Sequence, residues 1–401
     1  METGLNDDFR EWFDRTPDRR GTGSYKWDSA GDPEVIPLWV ADMDFRTAPC
    51  VVEALRRRVE HGVFGYTLVG EGYYRALTGW FRLRHHYEID AARVIYTSGV
   101  VPAISAIIKA LTRPGDGVIV QTPVYNCFFS SIRNNGCRIV ENKLLRRSVA
   151  QDEFTYDMDF EGLERLAADK SNKILLLCNP HNPAGRLWTP DELRRVAEIA
   201  RRNSLQVVSD EIHCELTAPG TSYTPYGTLD DSAIVCLSPS KAFNTAGLQI
   251  ANIVCPDMEV RQKIDRAINI NEVCDVNPFG VEALKAAYSP DGGIWLGALR
   301  TYLFENYRFA REYLHRELPG SPQAILEATY LMWLDVSSLG IPSEKLEEEL
   351  LAKAKVWVNA GEMYGADGFL RINLACPRAR LAEGLRRLVE GLKKFTNIGR
   401  N

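Results

Sequence analysis

Lys241 follows the apolar run Ala233–Leu237 and stands among hydroxyls in Ser238-Pro239-Ser240-Lys241-Ala242-Phe243-Asn244. An amine at the end of a buried strand is desolvated. Desolvation lowers its pKa and leaves a free base able to attack an aldehyde. An ordinary loop lysine is the competing reading of these residues alone. Asp210 occupies a similar place in Val207-Val208-Ser209-Asp210-Glu211-Ile212-His213. Open α/β sheets collect ligands at the carboxyl ends of their strands, and a carboxylate there can keep a ring nitrogen protonated. A helix cap or a solvent-facing acid is the alternative.

Four further segments have the same form, an apolar run followed by residues with chemistry. Cys178-Asn179-Pro180-His181-Asn182-Pro183-Ala184-Gly185 carries two Asn-Pro steps. These restrict the backbone to a rigid turn that can aim an amide at a ligand; Asn179 and His181 can equally serve the turn itself. In Tyr96-Thr97-Ser98-Gly99-Val100-Val101-Pro102 a strand runs through a glycine into a helix. The free N–H groups at such a start make a phosphate seat. The segment is neither GxGxxG nor a P-loop, which disfavours a dinucleotide fold. Tyr125, just past Gln121-Thr122-Pro123-Val124, can stack on a flat ring or pack in the core. Arg371 lies inside the apolar stretch Phe369–Leu374. A buried guanidinium needs a partner, and a carboxylate of the protein or of a substrate suits its fork geometry.

The elements that must position these groups alternate in type. Strands are expected at Val94–Tyr96, Gly117–Gln121, Arg138–Glu141, Lys173–Cys178, Leu205–Ser209, Ala233–Leu237 and Gln249–Val254. Their Val, Ile and Leu runs lack polar alternation, as in strands buried on both faces. Helices are expected at Pro102–Leu111, stopped by Arg113-Pro114-Gly115, and from Pro190 to Asn203 behind a Thr189 cap. The pattern predicts an α/β fold with a mostly parallel sheet of seven strands covered on both faces. The chain ends read differently. Ile36–Val40 is extended, a long amphipathic helix runs from Trp295 to about Leu318, and Tyr330–Asp335, a helix near Ser343–Lys353, Phe369–Leu374 and a helix after Pro377 follow. A large unit, 49–289, and a smaller α+β unit made from 1–48 and 290–401 are expected.

The 401 residues carry 48 Lys+Arg against 53 Asp+Glu, a net charge of −5. Without a basic excess, nucleic acid is a poor partner. No apolar run approaches the about 20 residues that span a bilayer, and the first residues are polar and charged, so no membrane partner and a cytoplasmic location are expected. The nine cysteines are scattered without a CxxC pair. That argues against a structural zinc site and for small buried hydrophobes in a reducing compartment.

Taken together and in this order, the segments resemble the fold-type I pyridoxal-phosphate enzymes of the aminotransferase superfamily, over about residues 30–390. Leu38-Trp39-Val40-Ala41-Asp42-Met43-Asp44-Phe45, Phe64-Gly65-Tyr66-Thr67 and Asp210-Glu211-Ile212-His213 narrow the resemblance to the MalY/PatB group of cystathionine β-lyases, which are C–S β-lyases. The resemblance implies the pyridoxal-phosphate transferase fold, with pyridoxal 5'-phosphate as cofactor and a small amino acid as substrate. It implies that Lys241 condenses with the cofactor aldehyde and shuttles protons, and that Asp210 pairs with the pyridinium nitrogen. Asn182 and His213 would lie beside the phenolic oxygen, and Tyr125 would stack on the ring. Val100, Val101, Ser238 and Ser240 would hold the phosphate, and Arg371 the substrate carboxylate. Tyr66 would reach the phosphate of a neighbouring subunit, so a homodimer with shared sites is expected. The chain departs from many aminotransferases at Gln249, eight residues after the lysine, where they carry an arginine. A transaminase sharing the same first half-reaction, or a regulator-binding member of the superfamily, is the alternative function.

Overall fold

The computed structural model describes residues 9–272 and 275–396 of the chain. Cys274 and the first eight residues lie outside the described residues. Seven strands form the central sheet: β1 (Val94–Thr97), β2 (Gly117–Val120), β3 (Arg138–Glu141), β4 (Asn172–Cys178), β5 (Gln206–Asp210), β6 (Ile234–Leu237) and β7 (Ala251–Val254). Their order is β1-β7-β6-β5-β4-β2-β3. All neighbouring pairs are parallel except those made by β7, which runs antiparallel to β1 and β6. The expected mostly parallel, seven-stranded sheet is present.

The continuous apolar runs have a simple cause. Val118, Val120, Ile174, Leu176, Val208, Ile234 and Cys236 face one core, shared with Ile104, Ile107 and Ile108 of the helix Val100–Leu111. The alternate residues Ile119, Leu175, Leu177, Val207, Val235 and Leu237 face a second core that includes Leu193, Val196 and Trp295. With both faces buried, apolar residues dominate the inner strands, and the interior polar residues Ser209 and Asn252 are themselves buried. Each such aliphatic side chain contributes about 1.5–3 kcal/mol on burial. The helix Pro190–Asn203 starts at a full capping box, in which Thr189 and Glu192 exchange hydrogen bonds with each other's backbone.

A second sheet has the order Asn359–Ala360, Phe369–Asn373, Leu331–Asp335, Gln323–Ala324, Glu153–Asp157, Leu145–Ala150. It joins late strands to a hairpin from mid-chain that the sequence reading did not anticipate. The outer strand of that hairpin is exposed along its whole length, so it carries no burial signal. The long helix spans Pro290–Glu317 and the last Arg378–Thr396. Ile36–Pro37 pairs in parallel with Val356–Trp357, a shorter strand than the Ile36–Val40 expected.

The loop after Ile36–Pro37 is anchored by Asp44. This fully buried carboxylate lies 3.0 Å from Lys26 Nζ and 2.8 Å from Arg380, and accepts from Trp27 Nε1 at 2.9 Å. Burial alone would raise its pKa, but Lys26 and Arg380 outweigh burial and hold it below the ordinary carboxylate value. A depressed folded pKa means its stabilisation is present at neutral pH and is lost as pH falls through that value. Removing one member strands buried charge. Asp44→Asn is therefore expected to cost about 3–5 kcal/mol in urea unfolding at pH 7, and a loss below about 1 kcal/mol would contradict the anchoring role.

Candidate active site

The sheet brings the candidate residues to one edge. Ser98 and Gly99 follow the carboxyl end of β1, Tyr125 follows β2, Asn182 follows β4, Asp210 ends β5, and Ser238, Ser240 and Lys241 follow β6. Register keeps these ends level: Cys178 pairs with Asp210, and Asp210 with Cys236. Because β7 runs the other way, its beginning lies at this edge, where Ile250 joins the site. A cavity of about 170 Å³ opens here, lined by Val100, Val101, Tyr125, Asn182, Asp210, His213, Ser240 and Lys241. Ala41, Cys178, Ile212, Ala246 and Ile250 complete much of its wall.

Electrostatics in the cavity are dominated by burial. The Asp210 carboxyl is raised to about 7 by desolvation, opposed by the Ile212 N–H donated to it at 3.1 Å and by Lys241. Lys241 is lowered to about 8 by burial, with Arg371 acting in the same direction and Asp42 and Asp210 against. Its Nζ donates to the Ala41 carbonyl at 2.7 Å. His213 is lowered to about 3 by burial, then by Lys241 and Arg371, so the ring is neutral at physiological pH. Its Nδ1 is buried without a partner. Burial raises the Tyr125 hydroxyl well above its usual value, keeping it protonated.

Arg371 is buried next to the cavity in the strand Phe369–Asn373. It donates to Asn182 Oδ1 at 3.2 Å and to the Trp39 carbonyl at 2.9 Å, and lies 4.6 Å over the Tyr364 ring. Its Nε has no partner. Among the described residues its hydrogen-bond acceptors are neutral, so no protein carboxylate matches its charge.

Two expected residues stand outside the cavity. Ser238 is buried behind Ser240, donates to the Ile250 carbonyl at 2.6 Å, and meets Ser240 Oγ at 2.8 Å and its N–H at 3.1 Å. It braces Ser240. Tyr66 is 97% exposed and does not line this cavity. His181 bonds the Pro123 carbonyl at 2.8 Å, and Asn179 donates to Glu211 and Thr224, so both serve neighbouring loops. Gln249 is exposed and also stands outside. Sequence reasoning missed the Ala41 carbonyl, because a backbone oxygen has no residue-type signal; only the resemblance in Leu38–Phe45 pointed to that loop.

A sequence profile of aminotransferase class I and II matches residues 33–388. The chain belongs to this family. Cystathionine β-lyase PatB of Bacillus subtilis is 40% identical over 390 residues, 95% of this chain and 99% of its own. Protein MalY of Escherichia coli is 33% identical, covering 95% and 98% of the two chains. The crystal structure of cystalysin from Treponema denticola, which contains a pyridoxal 5'-phosphate cofactor, superposes with a TM-score of 0.90 at 35% identity, covering 95% and 98%. The sheet, the level strand ends and the covered faces are those of the fold-type I class.

The residues present fit that cofactor. The helix Val100–Leu111 starts without a side-chain cap, leaving N–H groups beside Ser240 for a phosphate. Asp210 is buried without an ion-pair partner among the described residues, as a protonated ring nitrogen requires. His213 Nδ1 is unpaired, and Lys241 offers an amine. An amine with a pKa near 8 is mainly ammonium below that pH and mainly free base above it. Covalent capture of pyridoxal 5'-phosphate by cofactor-free protein, followed by absorbance, is expected to accelerate with pH through about 8 and then level off. A rate flat across that window would contradict the assignment.

Proposed function

We propose that the chain is a pyridoxal-phosphate-dependent carbon–sulfur β-lyase. It removes a thiol from L-cystathionine or a related S-substituted cysteine and, with water, yields pyruvate and ammonia. The observation that carries this reading is the pair Lys241 and Asp210 on the walls of one buried cavity, beside Arg371, which has no carboxylate partner among the described residues. The lyase names of relatives at 40% and 33% identity support it.

When bound, pyridoxal 5'-phosphate supplies an electron-withdrawing ring that acidifies the α C–H of an attached amino acid. The chain's own residues do the rest. Asp210 holds the proton on the ring nitrogen; the cation against it favours the carboxylate and draws its pKa down from about 7. The N–H groups of Val100 and Val101 and the Ser240 hydroxyl seat the phosphate, with Ser238 behind. Tyr125 would pack against the ring, and Asn182 and His213 would lie near its phenolic oxygen, all three lining the cavity. Arg371 would bind the substrate carboxylate and so orient the amino acid in the cavity. Lys241, its amine lowered by burial to about 8, would remove the α proton as general base. The same amine holds that proton available to the departing sulfur.

The proposal includes a homodimer in the cytoplasm, with Tyr66 lent to the partner's phosphate. Exposed Val63, Phe64 and Leu68 beside it support burial of this segment against a second copy. It also includes a cofactor-binding unit, 49–289, and a smaller unit, 1–48 with 290–401, to which the hairpin 145–157 adds two strands. No helix among the described residues is long and apolar enough to cross a membrane.

Incubation with L-cystathionine is expected to release pyruvate and homocysteine without an added keto acid. Strict dependence on the keto acid with no thiol released would instead identify a transaminase. Lys241→Ala should lower turnover by at least about 10²–10⁴-fold. Arg371→Met should raise KM by about 10–100-fold, the worth of charge-assisted hydrogen bonds to a carboxylate; an unchanged KM would remove Arg371 from substrate binding.

A further inference from the structure

The Lys241 amine ends on a backbone oxygen, and that oxygen sits at the apex of a tight turn. The Asp42 N–H bonds back to the Val40 carbonyl at 2.8 Å, closing a three-residue turn centred on Ala41. The Ala41 carbonyl receives Lys241 Nζ at 2.7 Å. Both flanks of the turn are held by one side chain. Asn373 Nδ2 donates to the Val40 carbonyl at 2.6 Å and to the Asp42 carbonyl at 2.8 Å. Its amide orientation is settled by the other end, since Oδ1 accepts the Ala375 N–H at 2.7 Å. The Asn373 N–H donates to Leu38, so backbone and side chain together bind the loop to the strand Phe369–Asn373. Asn373 is fully buried, two residues after Arg371, and does not line the cavity.

We propose that Asn373 is a positioning residue that stitches the Val40–Asp42 turn so that the Ala41 carbonyl receives the Lys241 amine whenever that amine is free of the cofactor. This deepens the lyase reading and rests on it for the importance of Lys241, but the contact itself exists in the protein alone. During the reaction the same carbonyl would hold the lysine after it leaves the cofactor and takes up the substrate proton. A carbonyl acceptor favours the ammonium form over the free base, opposing burial. The other groups acting on this amine are Arg371, which lowers its proton affinity, Asp42, Asp210 and Cys127, which raise it, and neutral His213 opposite. Asn373 hydrogen-bonds none of their ionisable side chains, and its one contact with this set is the backbone carbonyl of Asp42. Its removal therefore reaches Lys241 through the turn.

The test is the pH dependence of Lys241 arylation by trinitrobenzenesulfonate in the cofactor-free full-length chain, quantified on the Lys241 peptide. In Asn373→Ala the midpoint should fall by about one pH unit, roughly tenfold in proton affinity. Asn359→Ala is the control. Its amide donates to Trp39 and Tyr364, loosening the same loop without touching the two flanks of Ala41. Its midpoint should stay near that of the parent. A midpoint unchanged or raised in Asn373→Ala, or lowered equally in Asn359→Ala, overturns the proposal. Should Asn373→Ala fail to fold, Asn373→Ser, which removes the amide and keeps an acceptor for Ala375, is measured in its place against the same criteria. The midpoint is read without turnover, so a failed lyase assay leaves it intact. In the cofactor-loaded protein, kcat should fall while KM moves by less than about twofold, because the carboxylate clamp is untouched.

Discussion

Burial of ionisable groups without matched partners is the constraint on which the structure depends. Asp210 and Lys241 line one small cavity with Arg371 buried next to it, and none forms an ion pair with a described side chain. Desolvation moves each titratable group toward its neutral form: the carboxyl up to about 7, the amine down to about 8, the imidazole to about 3. A site in this condition is poised for a ligand whose charges complete it, with an anion at the helix start, a cation beside Asp210 and a carboxylate beside Arg371. The same desolvation that disfavours unmatched charge in the cavity strengthens each of those contacts once formed.

Such a site needs walls that do not relax around the unmet charges. The sheet provides one wall, because strands buried on both faces cannot shift register without exposing a core. The loop Leu38–Phe45 provides another and has no regular structure of its own. It is held by Asn373, Asn359 and Arg371 from the second sheet, by Asp44 in its buried pairs with Lys26 and Arg380, and by Asn244. Asn244 lies three residues after Lys241 and bonds Met43 and Phe45 with its amide. Its φ of 52° is in the left-handed region, which asparagine tolerates better than most residues. The turn that carries the lysine and the loop that receives its amine are thus tied to each other.

Much of this was legible in the chain. Lys241, Asp210, Asn182 and Tyr125 each stand just past an apolar run, and the rule that ligands gather at the carboxyl ends of parallel strands brings them together without any knowledge of the fold's details. The helix Pro190–Asn203 was readable from its start and stop residues, and Val100–Leu111 from its stop alone, since it begins two residues before the expected Pro102. The hairpin Leu145–Asp157 was not, because its outer strand is solvated and its partner strand comes from residue 323 onward. Ser238 and Ser240 looked equivalent in sequence, two hydroxyls flanking a proline; only the turn after β6 sends one into the cavity and the other behind it.

Residue order alone determined which chemical groups lie at strand ends and that the sheet must be covered on both sides, since both follow from local apolar runs and their terminators. It also placed Arg371 inside an apolar strand, where a guanidinium needs a partner, and left open whether the protein or a substrate supplies it. Tertiary structure decided what those groups face. The acceptor for Lys241 is a carbonyl 200 residues away in sequence, aimed by an amide from a strand another 332 residues on from Ala41. Contacts at that separation depend on how two sheets pack, and a backbone oxygen leaves no mark in the sequence by which such packing could be read.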